Sequence, residues 1–250
     1  MANAGSRGFY EHIDDPAVSV IAAAAATGTT WVADSTNGAT DFSRAVAAGK
    51  GLHYAAASDI TDNDMQEICS NNLIFTGQEG FSYAEILLQF DSIDDVAFNF
   101  GFHDTVEEVA DGGTLPVELS GTTWTSTGSA FLGFVYDVDA DNDDLHCFWV
   151  NGDVDTTTAI ANLRMNGMTL TADQWLYLRV EMQDRGSGKG VRATFLAVDH
   201  NGKSVEKVFD TTVSRSTQLC YHFSFENRAN AAATNCYIKG LNFGQTTADM

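Results

Sequence analysis

The residues best suited to chemistry form one acidic run between two hydrophobic segments. The run comprises Asp137, Asp139, Asp141, Asn142, Asp143 and Asp144. Carboxylates at alternate positions could bind Ca²⁺, which prefers several oxygen ligands. The EF-hand pattern fails, because the sixth position from Asp137 is Asn142 rather than Gly and the twelfth is Phe148 rather than Glu. We therefore interpret the run as a solvated hairpin tip, and we predict no metal ligand and no metal dependence of folding.

The histidines lack the spacing of metal ligands. They are His12, His53, His103, His146, His200 and His222, and no HxH or HExxH occurs among them. Three of them, His103, His146 and His222, fall in predicted strands on the side opposite the predicted core face. The sequence predicts that these three are exposed or hydrogen-bonded rather than metal-binding.

No pair of carboxylates matches a glycosidase pattern. Glu107 and Glu108 are adjacent and would point to opposite faces of a strand, and Glu181 is followed two residues later by Gln183. A GxSxG motif and a Cys/His signature are also missing from the sequence. We predict that the chain is not an enzyme, with no catalytic residue and no cofactor.

Three tryptophans are candidates for stacking on sugar rings. They are Trp31, Trp124 and Trp149, and Trp124 lies in the Thr-rich segment GTTWTST. The alternative, which we favour, is that they pack in the core or anchor loops. If Trp124 binds a glycan, its replacement by Ala should abolish glycan retention and leave the melting temperature nearly unchanged.

Period-two alternation runs along most of the chain. In Phe131–Val150 one face of the first run carries Leu132, Phe134, Tyr136 and Val138. Trp175–Met182 alternates in the same way, and Asn201-Gly202 separates two further runs as in a tight hairpin. Such alternation is typical of half-buried strands. The sequence predicts an all-β protein with two packed antiparallel sheets.

The domain organisation follows from the same pattern. We predict an N-terminal arm over residues 1–30 and one sandwich domain over residues 31–250. Asp15 and Pro16 could begin a short helix in the arm, although an extended segment is equally compatible with the sequence. The Gly-, Thr- and Asp-rich segments Ala110–Thr127 and Gly152–Leu163 are expected to be long surface loops.

The charge excludes two classes of partner. The net charge is −21, with 34 acidic and 13 basic residues, which argues against nucleic acid and against anionic membrane surfaces. The four cysteines, Cys69, Cys147, Cys220 and Cys236, show no CxxC spacing and are predicted to be reduced thiols. The first residues have no apolar core typical of a signal peptide, so we expect folding in a cytoplasm.

Four segments in this order resemble a known family. They are Phe81–Asp104, Gly128–Asp141, Trp149–Asp153 and Gln174–Lys203, the last of which contains QWLYLRVEMQDRGSGKG. Together they are similar to concanavalin-A-like, laminin-G-like sandwich domains of tailed-phage virion proteins. The resemblance covers residues 75–243 and implies a jelly-roll β-sandwich.

The resemblance also implies a function. It indicates a phage structural protein, a decoration or cement protein that stabilises the head, assembled in the host cytoplasm and located on the capsid surface. Its partners would be the major capsid protein and further copies of itself, possibly as a trimer. A glycan-binding or receptor-binding virion module is the alternative, and a degenerate glucanase-like enzyme is the third hypothesis.

Overall fold

The named elements of the protein are all β-strands. The computed structural model describes residues 7–13, 21–22, 31–36, 40–78, 80–106, 113–140, 144–152, 163–228 and 232–247. In chain order the strands are β1 (Arg7–Ile13), β2 (Ile21–Ala22), β3 (Trp31–Ser35), β4 (Thr40–Ala47), β5 (Gly51–Ala57), β6 (Met65–Ser70), β7 (Gly80–Phe90), β8 (Val96–His103), β9 (Val117–Ser120), β10 (Thr123–Ser126), β11 (Ala130–Asp137), β12 (His146–Asn151), β13 (Leu176–Gln183), β14 (Gly190–Val198), β15 (Ser204–Ser214), β16 (Cys220–Asn227) and β17 (Asn235–Thr247). Within these ranges, no helix is both long and apolar enough to cross a bilayer.

The strands form two large sheets and one small hairpin. The eight-stranded sheet has the order β15-β14-β13-β7-β17-β5-β4, with β1 also paired to β17. The seven-stranded sheet has the order β12-β11-β8-β16-β6-β3-β2, and β9 pairs with β10 alone. Apart from the parallel pair β2–β3, the strand pairs are antiparallel. The predicted all-β sandwich is confirmed.

The core lies between the two large sheets, as the alternation predicts. Leu178 and Val180 of β13 point into it, whereas Tyr177 and Arg179 lie half-buried on the outer face of the eight-stranded sheet. Phe98, Phe100 and Phe102 of β8 supply aromatic rings from the other sheet, and each ring removes a large apolar area from water. The predicted hairpin at Asn201-Gly202 joins β14 to β15.

A third layer covers the outer face of the seven-stranded sheet. In β8, β11 and β16 every residue is buried, including those that point away from the core. Val117, Leu119 and Trp124 of the β9–β10 hairpin pack there against Phe131 and Phe148. The prediction that Ala110–Thr127 is a surface loop was therefore wrong for residues 113–127. The sequence pattern did not predict these two strands, because they are short and contain few apolar residues. The apolar residues that they do contain are large.

The described parts of the N-terminal arm extend the two sheets. β1 pairs with β17 from Arg7↔Thr247 to Ile13↔Leu241, and β2 pairs with β3. Ile21–Ala22 is extended, as in the second of the two interpretations of the arm, while residues 14–20 and 23–30 lie outside the described residues.

The thiol prediction is confirmed. All four cysteines are free and buried, and burial raises the pKa of the Cys220 and Cys236 thiols well above the usual range. These cysteines are apolar core residues rather than nucleophiles.

Candidate functional site

The prediction of a solvated tip is wrong for Asp137, whereas Asp139 of the same run is exposed. Asp137 is only 1% exposed and forms an ion pair with Arg228, and its Oδ1 accepts a hydrogen bond of 2.9 Å from the backbone N–H of Asp139. Asp141, Asn142 and Asp143 lie outside the described residues, as do Glu107 and Glu108. Among the residues that are described, no group of three His, Cys, Asp or Glu side chains could hold a metal ion.

The tryptophans named as sugar-stacking candidates are packed inside the protein. Trp31 is fully buried, with its ring centroid 5.1 Å from that of Tyr221. Trp124 is 6% exposed and lies 5.5 Å from Phe148, while Trp149 is half-buried against Phe209. The packing interpretation is the correct one for all three. A glycan platform has to be sought elsewhere.

The three strand histidines are buried, so the expectation of exposure was wrong. The hydrogen-bonded alternative is correct for two of them: His103 Nδ1 lies 3.2 Å from the carbonyl oxygen of Ala130, and His222 Nε2 lies 2.8 Å from Ser224 Oγ. His146 is covered by Trp124, with ring centroids 5.8 Å apart. Burial and the nearby Arg164 lower the pKa of His146 to about 4, so the ring is neutral at pH 7.

Ser224, His222 and Glu67 are arranged like a nucleophile, a base and an orienting acid. In addition to the Ser224 contact, His222 Nδ1 lies 3.3 Å from Glu67 Oε1. This geometry alone fits nucleophilic catalysis. None of the three residues is more than 1% exposed, however, so a substrate has no access to them. In this structure the trio is a buried polar cluster, in which His222 contacts Ser224 on one side and lies beside Glu67 on the other.

An open groove lies on the other side of the molecule, on the outer face of the eight-stranded sheet. It has a volume of about 370 Å³, within the range of small-molecule sites. Its walls come from β5, β7, β13 and β17. The lining residues are Leu52, Glu85, Ile86, Leu87, Tyr177, Lys239, Gly240 and Asn242. We call this the Glu85 groove.

Glu85 organises the polar side of the groove. Its carboxylate accepts hydrogen bonds from the Arg179 guanidinium and, over 3.2 Å, from Asn242 Nδ2. Tyr177 is also hydrogen-bonded to Glu85, and burial together with that bond raises the pKa of the Tyr177 hydroxyl. Register places these groups side by side, because Arg179 and Asn242 are the cross-strand partners of Glu85 on its two sides. The carboxylate is therefore held in one orientation before any ligand arrives.

Aromatic rings and cations surround the groove. The Arg179 guanidinium lies 4.4 Å from the centre of the Tyr83 ring, and Lys239 Nζ lies 5.7 Å from that of Trp175. Gly244 makes room for Tyr83, because a Cβ at Gly244 would come within 2.5 Å of the ring. A second concavity near Phe90 has room for only about 10 Å³, about one water molecule.

The residues of this groove form no recognisable motif in the sequence. The sequence shows only that Glu181 has no second acid two residues further along its own strand. In the structure its neighbour is Arg179, which also contacts Glu85 on β7. The signal was present in the outward positions of Trp175–Met182, where Tyr177, Arg179 and Glu181 form a polar and aromatic face. Only the pairing of β13 with β7 and of β7 with β17 shows that Asn242 belongs to the same site.

Comparison with solved structures identifies the fold. A protein of unknown function from Shewanella oneidensis MR-1 matches 100% of this chain and 91% of its own, with a TM-score of 0.62 and 13% identity. Peanut lectin, solved with a nine-residue peptide, matches 96% of this chain and 97% of its own, with a TM-score of 0.52 and 10% identity. The chain has a lectin-like jelly-roll fold. The predicted resemblance to concanavalin-A-like sandwiches is thus confirmed for the fold, while the phage origin stays a prediction.

The same fold occurs in an enzyme. The marine PL-14 alginate lyase from Aplysia kurodai matches 81% of this chain and 86% of its own, with a TM-score of 0.56 and 9% identity. No protein-family model matches the sequence, and no curated protein is significantly similar to it. At 9–13% identity these likenesses establish a fold that proteins of different activity share.

Proposed function

We propose that the protein is a non-catalytic glycan-binding module whose ligand binds in the Glu85 groove. The observation that carries this proposal is the groove itself, where a fixed carboxylate and an amide lie beside an aromatic ring. A sugar presents hydroxyl groups that pair with carboxylate and amide groups, and C–H faces that pack on aromatic rings. Glu85 and Asn242 supply the first kind of contact, and Tyr177 supplies the second.

The lectin-like fold supports the same proposal. Peanut lectin and the carbohydrate recognition domain of Emp47p, which matches with a TM-score of 0.51, share this architecture. Fold alone does not carry function, so the groove is the stronger argument. Among the described residues, the β9–β10 hairpin and its flanking segments bury the outer faces of β8, β11 and β16 in the seven-stranded sheet.

The chemistry of the groove argues against hydrolysis. A glycosidase keeps one carboxylic acid protonated near a second, ionised carboxylate. Here Arg179 forms ion pairs with both Glu85 and Glu181. Neither carboxylate is in a position to give a proton to a glycosidic oxygen without first breaking its ion pair.

A pair of matched substitutions tests the location of the site. Leu87 lines the groove and Leu196 of β14 lies outside it, and both are half-buried on the outer face of the same sheet. Leu87→Trp should fill the groove and weaken binding on a glycan array by roughly tenfold or more. Leu196→Trp should leave binding unchanged, and both variants should keep the wild-type melting temperature. An array without hits for the wild type, or equal binding by Leu87→Trp, would refute the proposal.

Capsid decoration, the first hypothesis from the sequence, stays a prediction. It is compatible with glycan binding, because a glycan-binding module can be part of a virion. The major capsid protein as partner and the trimeric state likewise stay predictions.

A further inference from the structure

Lys239 occupies a special position on the wall of the Glu85 groove. The register of β17 against β7 shifts between Ile238 and Gly240, so Lys239 is the extra residue of a β-bulge. A bulge turns a side chain away from the direction that regular pleating would give it, and bulges are frequent beside functional sites. The exposed Lys239 side chain lines the groove, with its ammonium on the side of Trp175.

The other cations near this side chain are neutralised. Arg179 pairs with Glu85 and Glu181, and Lys50 Nζ lies 3.7 Å from Asp173 Oδ1. Among the residues that the structure describes, Lys239 has no carboxylate within salt-bridge distance. The chain carries 34 acidic and 13 basic residues, and among the described residues that line the groove Lys239 is the basic one.

We propose that the Glu85 groove selects glycans that carry an anionic substituent, and that Lys239 binds this substituent. The inference rests on the proposed function and specifies its ligand class. The anion lies at Lys239, a sugar face packs on Tyr177, and hydroxyl groups reach Glu85 and Asn242. Lysine acts as a point charge without the planar fork of arginine, so both a carboxylate and a sulfate ester fit this position.

The strongly acidic chain does not prevent such binding. Repulsion from distant carboxylates is screened over about 8 Å at physiological ionic strength. An ammonium in contact with the anion, partly shielded by the Trp175 ring, is screened much less. The groove can therefore attract an anion locally although the whole molecule is negative.

The test compares pairs of ligands with and without an anionic group. Oligogalacturonides are measured by calorimetry beside the same oligosaccharides with methyl-esterified carboxylates, and sulfated galactan oligosaccharides beside their desulfated forms. We expect the wild type to prefer one or both anionic forms by roughly tenfold, the ratio that 1.4 kcal/mol gives. The pair that shows the preference identifies the carboxylate or the sulfate as the recognised group.

Two lysine variants locate the effect. Lys239→Met keeps much of the aliphatic stem and should remove the preference by lowering the affinity for the anionic forms to about that for the neutral forms. Lys189→Met removes an equal charge from an exposed turn outside the groove and should retain the preference. Equal binding of charged and neutral forms by the wild type, or a preference that survives Lys239→Met, would overturn the inference and leave the proposed function standing. Absence of binding to every glycan would refute the proposed function itself.

Discussion

Arg228 contacts three acidic side chains through one guanidinium in the interior of the protein. Its Nη1 lies 3.2 Å from Glu118 and 3.0 Å from Glu226, and its Nη2 contacts Asp137. Glu226 is fully buried, and burial raises its pKa to about 8, against the opposing effect of Arg228. Glu226 therefore carries a proton at neutral pH, which reduces the uncompensated charge of the cluster.

This proton makes stability depend on pH. The pKa of Glu226 is 4.5 when unfolded and about 8 when folded, so its contribution is complete below pH 4.5 and is lost as the pH rises to 8. His146 acts in the opposite direction, because its pKa falls from 6.5 to about 4 on folding. Stability should thus be greatest near pH 5–6 and fall by about 2 kcal/mol between pH 6.5 and 8, at about 1.4 kcal/mol per pKa unit. Urea unfolding at these pH values measures the change.

Glu226→Gln provides the control for the pH dependence. The amide has a similar shape and cannot ionise, so the variant should lose the decline above pH 6.5 and be more stable than the wild type at pH 8. A variant that declines as steeply as the wild type would show that another group carries the proton.

Trp124 is expected to stabilise the fold. Replacement by Ala removes its contacts with Phe148 and His146 and should lower the free energy of unfolding by about 3–5 kcal/mol. Trp175→Ala, which changes a half-buried ring at the surface, should cost much less. Urea denaturation distinguishes the two, and an unchanged stability for Trp124→Ala would contradict the packing described above.

At the scale of elements, Asn99 links the β9–β10 hairpin to β8. Asn99 of β8 accepts a hydrogen bond of 2.8 Å from the Val117 N–H and donates one of 2.9 Å to the Val117 carbonyl. Asn99→Ala leaves both backbone groups buried without a partner, which should cost roughly 2–4 kcal/mol. Hydrogen exchange at Val117 and Leu119 should accelerate while exchange in β7 and β13 stays slow. Uniform acceleration would mean that the hairpin does not open separately.

The sequence predicts inward and outward side chains correctly where the pattern of a single strand is enough to distinguish its two faces. In β13 and β8 the alternation predicts correctly which side chains enter the core. It did not reveal the hairpin layer, because outward residues such as His103, His222 and Ser224 have the polarity of an exposed face. Nor did it reveal the Glu85 groove, whose members are brought together by pairing between strands that lie up to 157 positions apart, as Glu85 and Asn242 do. Such long-range register is set by packing and is invisible in local patterns.

At the scale of the whole molecule, β1 pairs with the part of β17 that β5 leaves unpaired in the eight-stranded sheet. An unpaired edge would expose backbone donors and acceptors to other chains. Deletion of residues 2–13 should lower the melting temperature by roughly 5–10 °C and promote aggregation. Deletion of residues 2–6 leaves β1 whole and should have little effect. An unchanged melting temperature with altered oligomerisation would instead indicate an arm that binds another subunit.

The predicted assembly can be checked directly. If the protein decorates a capsid as a trimer, light scattering should give three times the chain mass of 26.9 kDa, and the protein should cosediment with capsids. A monomer that never cosediments would remove the decoration hypothesis and leave the glycan-binding module.

The position of the β9–β10 hairpin in the chain has a consequence for synthesis. It lies between β8 and β11, so it leaves the ribosome before β11 and β12, whose outer faces it covers. The apolar segment FLGFVYD of β11, with Phe131 and Val135 on its outer face, has the composition of an aggregation-prone strand. The β9–β10 hairpin has already been synthesised when this segment emerges. The hairpin can therefore cover the outer face of β11 while the rest of the sandwich is still being made.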